Sequence, residues 1–165
     1  MNSWHFIRLF NRKNLWSLFL LGVKNPLYVI PTLLATRKCI RICNKLYGNL
    51  HQKNNVTNAF RHALWNILIA QACTSYSRTR ENAIKWAHEI TTWHESFSPN
   101  DALARHMDMH NNGYGQEIFR RYPEYEAGDF ISLLQDQLTS AVKISTSKEI
   151  EAVDFALVYI ENLPK

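Results

Sequence analysis

Apolar positions recur along most of the chain at a spacing near 3.6 residues, the signature of amphipathic helices rather than strands. Residues 3–22 carry Trp4, Phe6, Ile7, Phe10, Trp16, Phe19 and Leu20 among Arg8, Arg12 and Lys13, and read as a first helix. Pro26 and Pro31 punctuate the next stretch, and Pro31 opens a second helix to about Leu46, because proline is tolerated in a first turn. Gly48 to Asn55 is polar and turn-like, which predicts an exposed loop. Asn55 or Thr57 can cap a third helix to about Tyr76, where Ala59, Ala63, Ile67 and Ala70 form one line with Leu64, Leu68 and Ala72 beside it. Helices over about 79–96 and 102–122 follow, parted by Ser98-Pro99-Asn100-Asp101 and stopped by Pro123. Two more are predicted over about 125–143 and 147–162. No run alternates with a period of two over the length of a strand. The expectation is an all-α, single-domain bundle of about six helices. It divides into a basic N-terminal part (1–53), a central part (56–122) and C-terminal helices (125–162).

Composition narrows this without changing it. At 165 residues the chain can bury one sizeable core but not two. With 46% hydrophobic residues, 5 Gly and 5 Pro, collagen-like, linker-like and disordered readings are excluded. Charge is more telling than its total of +5, for the first acidic residue is Glu81. Residues 1–80 carry +12 and residues 81–165 carry −7. The basic half therefore predicts an anionic partner, either a membrane surface or a phosphorylated substrate. No nucleic-acid-binding motif accompanies the charge, so nucleic acid is not the expected partner.

The apolar run from Leu15 to Val23, nine residues between basic flanks, is too short to cross a bilayer. No small-x-small cleavage site follows it. A helix of this kind either lies on a membrane surface or packs into the core. Cys39 and Cys43, four apart among Ile40, Ile42 and Leu46, read as buried thiols on one helical face, and Cys73 completes an odd number. Nothing here requires an oxidising compartment, and the expected location is cytoplasmic, peripheral to a membrane where the basic half meets one.

Candidate chemistry lies in three segments that place costly polar groups in helices otherwise apolar. Asn58, His62 and Asn66 fall on one helical face, with Arg61 and Trp65 on its flank. His94 and Glu95 end the next helix, and Asp108, Asn111 and Asn112 follow at i, i+3 and i+4. These residue types bind metals or run acid–base chemistry, and no side chain stands in the setting of an activated nucleophile. His62, His94, Asp108 and His110 are the candidate ligands for one divalent metal ion, a mixed nitrogen and oxygen set drawn from several helices. His62, His94, Glu95 and Asp108 are the candidate catalytic groups, Glu95 as the base that activates water. Arg61, Asn58, Asn66, Asn111 and Asn112 are the candidate substrate-binding groups. One geometric objection is built in: Asp108 and His110 are two residues apart, so a regular helix turns them about 200° from each other.

These segments, Asn58-Ala59-Phe60-Arg61-His62-Ala63-Leu64-Trp65-Asn66, His94-Glu95 and Met107-Asp108-Met109-His110-Asn111-Asn112, resemble the signature of a bacterial domain family of unknown function. Gly113 and Gly115 bracket Tyr114 directly after the last segment. The resemblance covers about residues 58–116 and names no activity. Related domains at the ends of large secreted and toxin-like proteins imply an enzymatic module. Two functions are therefore expected: a small helical hydrolase, metal-assisted, acting on an anionic phosphoester-type substrate, or a non-catalytic helical protein with a buried polar network that docks through its basic half.

Overall fold

A computed structural model describes residues 12–98 and 100–163. The described chain is all-α. Its helices are α1 (Arg12–Lys24), α2 (Pro26–Tyr47), α3 (Val56–Thr74), α4 (Arg80–Phe97), α5 (Ala102–Arg121), α6 (Ala127–Gln137) and the short α7 (Ser147–Glu151). Short polar side chains start them where the sequence has the means. Asn55 accepts from the Thr57 amide and hydroxyl ahead of α3, Thr79 from Asn82 N ahead of α4, and Asp101 from Ala104 N ahead of α5. The Trp4 to Phe10 portion of the expected first helix lies outside the described residues.

Helix α3 is apolar on nearly every side and is correspondingly central, packing on α2, α4, α5 and α6. Phe60, Leu64, Ile67 and Ile69 of α3 meet Phe119 of α5 and Phe130 and Leu134 of α6 in the main core. Cys39 and Cys43 are buried with their sulfurs 4.0 Å apart, and Cys73 is buried too. Arg80, at the start of α4, fixes that helix against the end of α5 by donating to Phe119 O at 3.1 Å and Pro123 O at 3.2 Å.

Three expectations are corrected. Helix α2 begins at Pro26, not Pro31, and Pro31 sits buried inside it. In the second turn Pro31 has no amide to give the Leu27 carbonyl, a cost the first-turn position would have avoided. The Gly48–Asn55 segment is not a wholly exposed loop. Gly48 takes φ +56° to end α2, a short 3-10 turn spans Leu50–Gln52, and His51 and Asn55 are buried.

The third correction concerns both C-terminal helices: the one expected over 125–143 ends at Gln137 and gives way to a 3-10 turn (Leu138–Ser140) and a strand, and the one expected over 147–162 stops at Glu151. Beyond it β2 (Val158–Tyr159) pairs in parallel with β1 (Val142–Lys143), Val142 opposite Val158. Tertiary hydrogen bonds outcompete helical ones here. The Asn111 side chain donates to Val158 O and accepts from Val158 N, both at 2.9 Å, as a neighbouring strand would. His110 Nε2 meets Ala156 O at 2.8 Å, and Asn54 O takes the amides of Ile160 and Glu161. Met107, Ile144, Ile150 and Val158 close a second, smaller apolar cluster under this tail.

Candidate functional site

Helices α3 and α5 make the most extensive helix–helix contact in the fold, and their closest approach is set by one glycine. A Cβ built on Gly115 would lie 2.2 Å from Ala63 O and 2.7 Å from Ala63 Cα, so only glycine permits the crossing. Gly113 faces open space and merely continues the helix. The close crossing brings two polar stripes together at i, i+4 and i+8: Asn58, His62 and Asn66 on α3, and Asp108, Asn112 and Gln116 on α5. The C-terminal half of α4 adds Thr91 and Glu95.

One half of this buried cluster is saturated. Asn112 Oδ1 accepts from Asn66 Nδ2 at 2.7 Å and faces His62 Nδ1 at 3.1 Å. Asn66 Nδ2 also donates to His62 O at 3.1 Å, while its Oδ1 accepts from Gln116 at 2.8 Å and Thr91 at 3.2 Å. Every polar atom of the Asn66 side chain is thereby used.

The other half is not. His62 Nε2 lies 2.8 Å from Arg61 Nη2, and a guanidinium can only donate. Nε2 therefore carries the lone pair, and Nδ1 carries the proton given to Asn112. Burial, aided by Arg61 and His94, holds the His62 ring well below its ordinary pKa, so it is neutral. Asp108 Oδ1 is 3.2 Å from His62 Nε2 but makes no hydrogen bond, whereas its Oδ2 accepts from Asn100 at 2.8 Å. Glu95 Oε1 is 3.7 Å from His62 Nδ1, and neither Glu95 oxygen is in a well-formed hydrogen bond; the neighbouring Asn112 amide only weakly favours the charged carboxylate. His62 is 2% exposed, Glu95 1% and Asp108 1%. Burial, with the neighbouring Asp108, pushes the Glu95 carboxyl up to about 8, and burial raises Asp108 to about 7, against the pull of Arg61 in both cases. One ligand atom from each of His62, Glu95 and Asp108 lies within 4.8 Å of the other two.

Half-buried side chains border the cluster. Trp65 packs edge-on against His94, ring centres 5.2 Å apart, and more loosely against His62 at 6.5 Å. Burial and Arg61 lower His94 to about 4, so its ring is neutral at physiological pH. Arg105 Nε is buried without a hydrogen-bond partner among the described residues.

The structure thus assembles His62, Glu95, Asp108, Asn66 and Asn112, with Arg61 on His62. It does not bring His110 or Asn111 to them. Both hold the C-terminal tail instead: His110 as its 200° offset from Asp108 requires, and Asn111 from the edge of the Asp108 face, only about 60° round the helix. Asn58 is buried but donates to His51 O at 3.4 Å, and His94 packs on Trp65 instead of joining the three-ligand group. Thr91, Asn100, Arg105 and Gln116 belong to the site or its border and were not foreseen. Arg105 and Gln116 had a signal, since they extend the Asp108–Asn112 row at i−3 and i+8 from Asp108. Thr91 had one too, four residues before Glu95, but Asn100 in its loop had none.

The model of a family described as a domain of unknown function (DUF6973) matches residues 19–142, and the chain belongs to that family. The matched span contains the whole cluster and stops before β2. No curated protein and no solved structure matches the chain.

Proposed function

We propose that this member of the DUF6973 family is a small helical hydrolase acting on an anionic, phosphoester-type substrate, with one divalent cation held by His62, Glu95 and Asp108. One observation carries the reading. Three buried carboxylate oxygens, Glu95 Oε1 and Oε2 and Asp108 Oδ1, lack well-formed hydrogen bonds and sit around a neutral imidazole. Unsatisfied buried carboxylates cost several kcal/mol, more than the neutral orphans elsewhere in the fold such as Asn58 Oδ1 and His51 Nδ1. A cation removes that cost by taking the oxygens as ligands.

The donor set is one imidazole and two carboxylates, which suits zinc, manganese or iron better than calcium or magnesium. Glu95 thereby becomes a ligand, and the base role first expected for it lapses. Such an ion supplies Lewis acidity and a water of lowered pKa. The protein supplies the rest. Asn112 fixes the His62 tautomer from behind, as outer partners of metal-ligating histidines do. Arg61 occupies the His62 lone pair and must leave it for the ion to enter, which frees a guanidinium for an anionic substrate. The Arg105 guanidinium beside Glu95 supplies a second positive charge.

The saturated half of the cluster favours the non-catalytic network for its own residues alone, because the Asn66 side chain at its centre has nothing left to offer a ligand. The test is elemental mass spectrometry on protein purified without an affinity metal, followed by titration with zinc and manganese. Near-stoichiometric metal, lost in Glu95→Gln and His62→Ala and retained in His94→Ala, is expected, together with metal-dependent hydrolysis of an aryl phosphoester. A folded wild type that takes up neither ion at pH 8 overturns the proposal.

A further inference from the structure

Helix α1 turns by 119° into α2 at Asn25, and the two together present an apolar face that nothing in the described chain covers. On α1 the exposed residues Trp16, Phe19 and Val23 follow one another at i, i+3 and i+7. On α2 Leu27, Ile30 and Leu34 do the same, Ile30 being 68% exposed. This face is a property of the folded arrangement and not of a loose end. The opposite side of α2 is anchored in the core through Pro31, Ala35, Cys39 and Cys43, and Trp93 Nε1 of α4 donates to Ser17 Oγ of α1 at 2.8 Å.

The charge along the same stripe identifies the occupant. At 100° per residue, Arg37, Lys38, Arg41 and Lys45 fall in the same sector of α2 as Leu27, Ile30 and Leu34, and all four are exposed. The outward stripe therefore runs from apolar to cationic along one helix, and Lys24 marks the bend. No acidic residue occurs before Glu81, so no like charge on these helices repels an anionic surface. A protein partner's groove would bury the apolar residues but gives no reason for four further cations in register with them. An anionic bilayer does: aromatic and aliphatic side chains enter the headgroup boundary while lysines and arginines meet phosphates and carboxylates. Among the described residues no single helix is long and apolar enough to cross a membrane; the bent α1–α2 pair reaches that length and composition only together, and its four exposed cations favour the plane of the interface over the bilayer interior.

We infer that the α1–α2 pair is an interfacial docking surface for anionic phospholipid bilayers. The inference stands on the exposed stripe and does not depend on a cation at His62, Glu95 and Asp108.

Full-length protein is sedimented with vesicles of phosphatidylcholine containing 30% phosphatidylserine, and with phosphatidylcholine alone, at ~25 and ~500 mM salt. Binding to the anionic vesicles at low salt is expected, weakened at least tenfold by high salt or by omitting phosphatidylserine. Neutralising Arg37, Lys38 and Arg41 to Gln should weaken binding by roughly a hundredfold, since each cation near such a surface contributes about a fivefold gain. Ile30→Ser with Leu34→Ser should weaken it at least tenfold with an unchanged melting temperature. Brominated lipid provides a measurement without mutation, because Trp16 enters the interface and wild-type fluorescence should be quenched. Three results overturn the inference: no low-salt binding, wild-type binding without quenching, or a solution dimer that the Ile30→Ser/Leu34→Ser variant dissociates while vesicles are ignored. The last would assign the face to a second copy of the chain.

Discussion

Replacing Glu95 by Gln should stabilise the metal-free protein, and only at high pH. Glu95 has a pKa of about 8 in the fold and an ordinary value of 4.5 in an unfolded chain. Its folded-state pKa is raised, so the folded chain holds a proton that the unfolded chain releases. Stability is then fully present below pH 4.5 and is lost as pH rises through 8. At pH 5 the unfolded chain is only about half a unit past its pKa, and the loss is about 1 kcal/mol. At pH 8 the gap is about 3.5 units, reduced slightly because the folded carboxyl has begun to ionise, and the loss is about 4 kcal/mol at 1.36 kcal/mol per unit. Gln fills the same space and cannot ionise. The variant should therefore gain about 3 kcal/mol on wild type between pH 5 and pH 8, on the order of 10 °C for a chain of this size. His62 and His94, whose pKa values are depressed, act in the opposite sense, losing stability as pH falls below about 6.5, but they are common to both proteins and drop out of the comparison. The assay is urea unfolding of chelator-treated wild type and Glu95→Gln, followed by tryptophan fluorescence at the two pH values. A wild type more stable than the variant at pH 8, or a difference that does not move with pH, would refute a buried, unpaired Glu95.

The same carboxyls make metal affinity depend steeply on pH. Ligation must displace protons from groups titrating near 8 and 7, so zinc affinity should rise by up to about a hundredfold between pH 5.5 and 6.5. Calorimetry in buffers of different ionisation enthalpy counts the two protons. Gly115→Ala should cost about 3 kcal/mol or more in chemical denaturation and abolish metal uptake, because its Cβ meets the Ala63 backbone; Gly113→Ala, in open space, should be neutral or stabilising by up to about 1 kcal/mol. Asn111→Ala removes both bonds to Val158 and should cost about 2–4 kcal/mol while exposing the tail to limited proteolysis, with metal stoichiometry unchanged. Loss of metal in that variant would return Asn111 to the site.

The helices from Val56 to Arg121 were legible because each carries its own start signal. Asn55, Thr79 and Asp101 are local capping residues, and local rules are enough to find them. The tail was not legible, because its conformation is set from 47 residues away. Nothing in 147–162 records that Asn111 will satisfy both backbone groups of Val158, and without that partner the segment's apolar spacing reads as a helix. The same contact explains the misplaced Asn111. A helix carrying His110, Asn111 and Asn112 in succession must turn them to different sides, and sequence alone does not say which side faces α3. Orientation of α1 and α2 had the same ambiguity. An apolar stripe is drawn identically for core and for lipid, and only the burial of Pro31, Ala35, Cys39 and Cys43 on the other face of α2 decides between them.

The division of the polar cluster is the strongest reason to read it as a site and not as a specificity device for the core. A buried network that serves only to fix helix register gains by satisfying all its members, since each orphan atom costs more than the bonds around it return. Asn66 meets that standard, and its bonds to Asn112, Gln116 and Thr91 lock α3, α4 and α5 together at the Gly115 crossing. Glu95 and Asp108 sit one helical turn away on the same scaffold and fail it. Glutamine at 95 would be cheaper, for it removes the ionisable group without changing shape. A rigid, satisfied platform beneath a set of unsatisfied carboxylates is the arrangement a ligand site needs, since the platform holds the donors in place while they wait for a cation.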